Sequence, residues 1–210
     1  MTISKRLIRT VPEAVDDEQE HLWEIACALH PDWEHITHRD PVDRDLFPMT
    51  SKHWDTCESG AQLADLIRAE DLYWRSGIYL DSDVEVLKPL DPLLNTKGFA
   101  GWEDENHICN AVMGFEAGHP ALREYLELAI QRHGEGTWLA GVGAFTEVMR
   151  GRDDVLLLAP GSLYPVHYRQ SMPPTGLVRL HNPWAYTIHH WNHSWASAEK
   201  IRSHNDMDRQ

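Results

Sequence analysis

Cysteine is scarce in this sequence. Cys27, Cys57 and Cys109 are its three cysteines, and their number is odd and their spacing wide. They therefore form neither the closely paired ligands of a structural zinc site nor an obvious disulfide framework. Free thiols are typical of a reducing compartment, so we expect a cytoplasmic protein.

Long apolar runs are also lacking. No segment contains the roughly 18 uninterrupted apolar residues that a membrane-spanning helix needs, and the N-terminus has no apolar signal-peptide core. We therefore expect no transmembrane segment. A length of 210 residues suits one domain with a sizeable core. We predict a single domain at 1–196 and a polar tail at 197–210.

Positive charge is in the minority. The chain has 19 Lys and Arg against 33 Asp and Glu, which gives a formal net charge of −14. A general nucleic-acid-binding surface needs a basic face, so we exclude nucleic acid as a partner. The same charge disfavours electrostatic adhesion to anionic lipid.

Two familiar motifs are incomplete. The glycine-rich stretch 134–143 lacks the Gly-x-x-x-x-Gly-Lys-Ser/Thr pattern, so it is not a phosphate-binding loop of that type. His189, His190 and His193 lie close together near the C-terminus. Because no cysteine or acidic residue completes a tetrahedral set at the usual spacing, they do not indicate a dedicated zinc site.

The stretch 60–94 is the most informative part of the sequence. Its first half predicts a helix that ends near Gly77, because apolar side chains recur there at helical spacing: Leu63, Leu66, Ile67, Tyr73 and Trp74. From Ile78 to Val86 apolar and polar residues alternate, which predicts one strand. If that strand stays regular, Asp81 and Asp83 project from the same side. Two carboxylates placed in this way can share one hard divalent cation.

Asp65 and Arg68 are neighbours on the surface of the predicted helix, because they are three residues apart. Spacing favours a surface ion pair worth about 0.2–0.5 kcal/mol. The alternative is a polar pair that faces the same cleft as the two aspartates and hydrogen-bonds a polyhydroxylated ligand.

The run A-D-L-I-R followed by G-I-Y-L-D-S-D-V-E-V-L-K-P-L-D resembles the core of the Asp-x-Asp glycosyltransferases with a sugar-binding motif. That family includes yeast-type initiating mannosyltransferases and bacterial capsular-polysaccharide sugar transferases, and the catalytic domains of clostridial glucosylating toxins are similar. Five residues stand in the family's order and spacing: Asp65, Arg68, Tyr79, Asp81 and Asp83.

Two later segments also resemble the family. Asn110 in N-A-V-M-G-F matches an asparagine that lies beside the bound sugar, although it is equally typical of a strand start. The run 185–195 resembles the closing motif His-His-x-x-x-Ser-Trp. The resemblance makes His190 the first choice for a third metal or phosphate contact, followed by Asn192 and Ser194, and places Ser194 and Trp195 beside the donor.

The sequence departs from the family at three positions. Arg9 and Val11 stand where the family has histidine and tryptophan, which puts a nucleotide contact from the first strand in doubt. Val142 stands where the family often has proline, in a loop that the resemblance assigns to the acceptor side.

The resemblance implies an α/β fold of the GT-A type, with a central mixed sheet flanked by helices. It implies transfer of a sugar, with retention of configuration, from a UDP- or GDP-sugar to an acceptor hydroxyl. The acceptor would be a glycan, a polysaccharide or a protein. Mn²⁺ or Mg²⁺ would be held by Asp83 with help from Asp81. Asp65 and Arg68 would orient the donor sugar, and Tyr79 would pack beside the nucleotide.

Two other functions stay open from the sequence. A haloacid-dehalogenase-type phosphatase also places Asp-x-Asp after a strand, but it has Thr or Val where this chain has Glu85. A strand-helix-strand unit also precedes the motif here. The second alternative is a sugar- or cation-binding module on the same fold without transferase activity.

Hydrophobic patterns predict the flanking elements. Strands are expected at 5–11, 33–38, 99–102, 110–115, 155–159 and 163–165, and helices at 16–29 and 119–132. The acidic residues 103–105 are expected to form a solvated loop.

Overall fold

A six-stranded mixed sheet forms the centre of the computed structural model, which describes residues 2–192. Its strands are β1 (Arg6–Val11), β2 (Glu34–Arg39), β3 (Gly77–Leu80), β5 (Gly98–Trp102), β6 (Ile108–Phe115) and β7 (Leu156–Leu158). They lie in the order β2–β1–β3–β6–β5–β7. β1 is parallel to β2 and β3, β6 is antiparallel to β3 and β5, and β5 is parallel to β7. A separate antiparallel pair joins β4 (Val84–Val86) to β8 (Thr187–His189).

In the described part of the chain, five α-helices accompany the sheet: α1 (Asp17–Leu29), α2 (Gly60–Arg75), α3 (Pro120–Gln131), α4 (Ala144–Met149) and α5 (Thr175–His181). Side-chain caps fix where the first two begin. The Asp16 carboxylate accepts from the Gln19 amide, and the Ser59 hydroxyl accepts from the Gln62 amide. Within residues 2–192, none of the helices has the length and apolar character that crossing a membrane would require.

The sheet is buried on both faces. Ile8, Tyr79 and Met113 pack with α2, α3 and α4 on one face, whereas Leu7 and Ile78 pack with α1 on the other. Successive side chains of a strand point to opposite faces, so neighbouring apolar residues serve two separate cores. The predicted elements around 5–11, 16–29, 33–38 and 119–132 are confirmed to within one or two residues.

The predicted strand from Ile78 to Val86 is wrong as a single element. β3 ends at Leu80 and the chain turns before β4, with the Val84 amide donating to the Asp81 carbonyl at 3.1 Å. The Asp81 amide donates to Ala111 of the neighbouring β6 at 2.8 Å, which ties the start of the turn to the sheet. β4 then leaves the main sheet to pair with β8, a long-range partner that alternation of residues cannot reveal.

The expected strand at 163–165 is also wrong, because that segment forms no strand ladder in the structure. Its apolar character reflects burial: Leu163 is fully buried and its carbonyl accepts from the Thr187 hydroxyl at 2.7 Å. The predicted tail at 197–210 lies outside the described residues.

Candidate active site

A cavity of about 390 Å³ opens at the carboxyl ends of β1, β2, β3 and β5. Its walls come from these strand ends, from α2, from the turn between β3 and β4, from β8 and from residues around the π-helix Leu139–Gly143. An open α/β sheet places ligands at this edge, because the loops that follow the strands surround a crevice there.

Asp65 and Arg68 line this cavity from the buried side of α2. Only 7% of Asp65 and 3% of Arg68 is exposed. Arg68 Nη2 lies 2.9 Å from Asp81 Oδ1 and 3.5 Å from Asp65 Oδ1, and its Nη1 donates to the Asn110 carbonyl at 2.9 Å. The interpretation as a surface ion pair is therefore wrong, and the pair faces the same cleft as the aspartates.

Asn110 completes this cluster from the start of β6. Its side-chain Nδ2 donates to Asp65 Oδ1 at 2.8 Å and to the Tyr125 hydroxyl at 3.1 Å. Asp65 Oδ2 approaches Gly141 so closely that a Cβ built there would lie 2.3 Å from it. The π-helix therefore needs glycine at this position, because any larger residue would displace the carboxylate.

Tyr79 supports the cluster from below. It is fully buried, its hydroxyl donates to Asp81 Oδ1 at 2.9 Å and lies 2.6 Å from the Thr10 hydroxyl, and Arg68 stacks 4.4 Å over its ring. Tyr79 is not among the residues that line the cavity. Tyr79 thus contacts Asp81 and Arg68, and its packing beside a nucleotide stays a prediction.

Arg9 also turns away from the cavity. Its guanidinium lies 2.6 Å from Glu20 and donates to the Thr37 hydroxyl, so its charge is used in joining β1 to α1 and β2. Val11 and Val142, the other two departures, both line the cavity.

Asp81, Asp83 and His189 bring one potential ligand atom each to within 4.8 Å of one another. Asp83 Oδ1 lies 3.1 Å from His189 Nε2, and Asp83 Oδ2 accepts from the Asn192 amide at 2.8 Å. Two different strand ends supply this group, since Asp81 and Asp83 flank the turn after β3 while His189 ends β8.

His190 does not join this group. Its Nε2 lies 3.2 Å from Glu85 Oε2, whereas His189 Nε2 lies 3.1 Å from Asp83 Oδ1. Adjacent residues of a strand point to opposite faces, so only one of the two histidines can reach the aspartates. The structure places His189 where the sequence analysis expected His190. Ser194 and Trp195 lie outside the described residues.

Burial and neighbouring charges shift the pKa values of the titratable cavity residues in different directions. Burial raises the pKa of Asp65 to about 6, although Arg68 acts against the shift. Burial also raises the pKa of Asp81. For Asp83 the effect of burial is outweighed by His189 and the Asn192 amide, so its pKa is lowered. Burial lowers the pKa of His189, but Asp83 outweighs it and the net shift is upward.

The sequence analysis gave no site role to His189 or Glu103, which both line the cavity. The sequence analysis chose His190, and not His189, as the third metal or phosphate contact. Glu103 was assigned to a solvated loop, but it is only 8% exposed, whereas Glu105 in the same loop is exposed. The position of Glu103 could have identified it as a cavity residue, because it directly follows β5 at the edge of the sheet where ligands bind.

Sequence comparison identifies relatives over part of the chain. Residues 16–100 match the family model described as the glycosyltransferase sugar-binding region containing a DXD motif. Over 98 residues the chain is 37% identical to inositol phosphoceramide mannosyltransferase 3 of Schizosaccharomyces pombe, a match that covers 45% of this chain and 28% of that protein. Mannosyl phosphorylinositol ceramide synthase SUR1 of Saccharomyces cerevisiae is 24% identical over 168 residues, covering 78% of this chain and 42% of that protein. The matches thus span less than half the length of these curated relatives.

Solved structures share the fold. The PaToxG glycosyltransferase superposes with a TM-score of 0.55 at 15% identity, covering 70% of this chain and 69% of that one. The glycosyltransferase GlyE of Streptococcus pneumoniae TIGR4 gives 0.53 at 13% identity, covering 95% of this chain and 60% of that one. The expected GT-A fold with a central mixed sheet is confirmed. Residues 16–100 thus resemble the glycosyltransferase sugar-binding region containing a DXD motif, and the chain shares its fold with solved glycosyltransferases.

Proposed function

We propose that this chain carries the catalytic site of a metal-dependent, retaining glycosyltransferase. It moves a sugar from a UDP- or GDP-sugar to a hydroxyl of an acceptor. Two of the curated relatives are named as a mannosyltransferase and a mannosyl phosphorylinositol ceramide synthase, so a mannosyl donor is the first to test.

One observation carries the proposal: two pairs of charged residues, from two separate elements of the fold, line the same cavity. Asp65 and Arg68 come from α2, while Asp81 and Asp83 come from the turn after β3. A phosphatase built on Asp-x-Asp has no need of the first pair. A transferase needs it to hold the donor-sugar hydroxyls while the second pair serves the diphosphate.

The residues present fit a divalent cation. Asp81, Asp83 and His189 offer two carboxylates and an imidazole, and His189 Nδ1 is buried without a hydrogen-bond partner among residues 2–192. Mn²⁺ accepts such a mixed oxygen and nitrogen set more readily than Mg²⁺, which prefers oxygen ligands. The cation supplies charge neutralisation of the departing diphosphate, an effect worth several kcal/mol in the transition state.

The chain's own side chains prepare the donor for transfer. Arg68 is fixed by Asp65, Asp81 and the Asn110 carbonyl, so it keeps its position and charge while a sugar enters. The buried carboxylate of Asp65 and the amide of Asn110 are fixed beside it and can hydrogen-bond ring hydroxyls. Preorganised groups of this kind cost no reorganisation when the reaction occurs.

Release of nucleoside diphosphate tests the proposal. Wild-type chain is incubated with GDP-mannose, UDP-glucose or UDP-galactose, with and without Mn²⁺, and freed GDP or UDP is quantified. We expect Mn²⁺-dependent release with one donor, and loss of it in Asp83→Asn. Asp91→Asn is the matched control, because that aspartate is exposed and is not among the residues that line the cavity.

The same assay separates the alternatives. Hydrolysis of a generic aryl phosphate without release from any nucleotide-sugar favours the phosphatase. Mn²⁺-dependent binding of UDP or GDP without turnover of any donor favours a non-catalytic module.

A further inference from the structure

A second group of potential metal ligands lies in the loop that joins β5 to β6. Glu103 directly follows β5, and His107 directly precedes β6. The Glu103 amide donates to the His107 carbonyl at 2.9 Å, which closes the loop. Glu103, Asp104 and His107 each bring one potential ligand atom to within 4.8 Å of the other two. The loop thus gathers two carboxylates and an imidazole at one place, and we call these three residues the loop cluster.

The loop cluster is distinct from the candidate metal ligands of the proposed transfer reaction. It shares no residue with Asp81, Asp83 and His189. Glu103 lines the cavity, whereas Asp104 and His107 are not among the lining residues. The loop cluster therefore lies in the wall of the cavity, and a metal ion bound there would be a second one.

The distances within the loop cluster fit a tetrahedral zinc ion. Zn²⁺ holds oxygen and nitrogen ligands at about 2.0–2.2 Å, so two ligand atoms of a tetrahedral site lie about 3.3–3.6 Å apart. His107 Nδ1 lies 3.1 Å from Asp104 Oδ2 and 4.0 Å from Glu103 Oε1. These separations lie on either side of that range, so small side-chain movements would bring all three atoms onto one ion.

His167 brings a fourth potential ligand from a distant part of the chain. Its Nε2 lies 3.5 Å from Asp104 Oδ2, and this nitrogen is buried without a hydrogen-bond partner among residues 2–192. Its Nδ1 accepts from the Arg169 amide at 3.3 Å. Coordination through Nε2 would put the ring proton on Nδ1, so the metal bond would replace this one hydrogen bond.

Neighbouring groups orient the two carboxylates without exhausting their capacity as acceptors. Asp104 Oδ1 accepts from the Asn106 and His107 amides, which leaves Oδ2 beside the two imidazoles. The Cys109 thiol donates to Glu103. A carboxylate offers about four lone-pair sites, so Glu103 can keep this partner and still bind a metal. Hydrogen bonds from outer groups of this kind are typical of ligating carboxylates.

The loop cluster has no permanent positive charge beside it in the described part of the chain. There the ion-pair partners of Glu103 and Asp104 are His107 and His167, and neither carboxylate pairs with a lysine or an arginine. Burying a carboxylate is costly unless it is paired. An imidazole offsets that charge only when it is protonated, whereas a divalent cation does so at neutral pH. The loop cluster therefore has the charge and the donor atoms that suit a cation.

We propose that Glu103, Asp104, His107 and His167 bind a Zn²⁺ ion. Zn²⁺ accepts carboxylates and imidazoles in tetrahedral sites, while Mg²⁺ and Ca²⁺ prefer oxygen ligands. The ion would tie the β5–β6 loop to the segment around His167. Because the His107 ring packs edge-on at 5.2 Å against Trp138, which lines the cavity, the ion would also hold one wall of the cavity in place. This role is structural, and it does not depend on the proposed function.

Zinc binding is measured on the full chain, stripped of metal with a chelator, by isothermal titration with ZnCl₂. Asp81, Asp83 and His189 could also hold Zn²⁺, which binds nitrogen and oxygen sites more tightly than Mn²⁺ does. Asp83→Asn and His189→Ala are therefore introduced together, which removes two of the three ligands there. This background isolates the loop cluster and His167.

Three variants of this background remove one proposed ligand each: His107→Ala, Glu103→Gln and His167→Ala. Two matched controls change exposed residues, namely His21→Ala and, in the same loop, Glu105→Gln. Thermal unfolding in the presence of a chelator checks that each variant folds. The visible spectrum with Co²⁺ in place of Zn²⁺ reports whether the site is tetrahedral.

We expect the background chain and both controls to bind one equivalent of Zn²⁺ and to give a tetrahedral Co²⁺ spectrum. They should also unfold at a higher temperature with Zn²⁺, because a ligand of the native state stabilises it. His107→Ala should weaken binding at least about 100-fold, since even the loss of an outer-shell partner costs about 10–100-fold. Glu103→Gln and His167→Ala should each weaken it at least about tenfold. Glu103→Gln keeps the volume of the side chain, so it decides the matter if His107→Ala does not fold.

Four results overturn the inference. They are no Zn²⁺ binding by the background chain, an octahedral Co²⁺ spectrum, equal affinities of the background chain and Glu103→Gln, and the same loss of affinity in His21→Ala as in His107→Ala. None of these outcomes changes the expected release of nucleoside diphosphate, so the inference and the proposed function fail separately.

Discussion

Arg68 Nη2 lies 2.9 Å from Asp81 Oδ1, which joins the middle of α2 to the turn after β3. Both partners are inaccessible to bulk water for most of their surface, so their attraction is weakly screened. The guanidinium also bonds the Asn110 carbonyl of β6 and stacks on Tyr79 of β3. One side chain therefore holds together the three elements that carry the candidate donor site.

Replacing Arg68 with methionine is expected to destabilise the fold. The change leaves Asp65 and Asp81 buried without their common counter-charge, and breaking a buried pair costs about 3–5 kcal/mol. Urea unfolding followed by circular dichroism measures the loss. Arg123→Met is the control, because the Arg123 ion pair with Glu127 is exposed and its removal should leave the midpoint unchanged. Equal midpoints for the two variants would contradict the structural role of Arg68.

His189 and His190 provide a test within one dipeptide. We expect His189→Ala to weaken Mn²⁺ binding at least about tenfold, because His189 lies with Asp81 and Asp83. His190→Ala should bind Mn²⁺ like wild type, because its imidazole contacts Glu85 instead. Mn²⁺ titration followed by electron paramagnetic resonance reports both affinities. The opposite order of effects would return the third contact to His190.

Gly141→Ala is expected to lower activity about 100-fold by moving Asp65. A Cβ at this position would lie 2.3 Å from Asp65 Oδ2, and displacing a positioning group by about 1 Å can cost this factor. Gly134→Ala is the control in the same glycine-rich stretch, since a Cβ there meets nothing within 4 Å. Donor turnover with Mn²⁺ is the measurement, and equal rates for both variants would show that the Asp65 position is unimportant.

The contribution of Asp65 to the free energy of unfolding should fall as the pH rises, whereas that of most paired acidic residues increases. Its pKa is about 6 in the folded protein, above the usual value near 3.8, so the folded state holds this proton more tightly. Its contribution is greatest below pH 3.8 and is lost as the pH rises through about 6. Relative to Asp65→Asn, wild type should lose about 3 kcal/mol of unfolding free energy across that interval, at 1.36 kcal/mol per pKa unit. Parallel pH profiles for the two proteins would contradict the raised pKa.

Local sequence determined much of this protein. The alternation around Leu7 and Ile8, the cap at Asp16 and the apolar face of α2 are properties of a few consecutive residues. The strand-helix-strand start and the location of Asp65 and Arg68 on a helix could therefore be predicted, but their burial could not. The Asp-x-Asp motif is local for the same reason. Which other residues line the same cavity could not be inferred from the spacing of these residues.

Only tertiary structure decided which side chains complete the site. β4 pairs with β8 across about half of the chain, and that register alone selects His189 over His190. Glu103 has the sequence signature of a solvated acidic loop, but it is buried at the edge of the sheet, where it lines the cavity. Long-range strand pairing determines on which face of the sheet a side chain lies, and the residue type does not reveal that face.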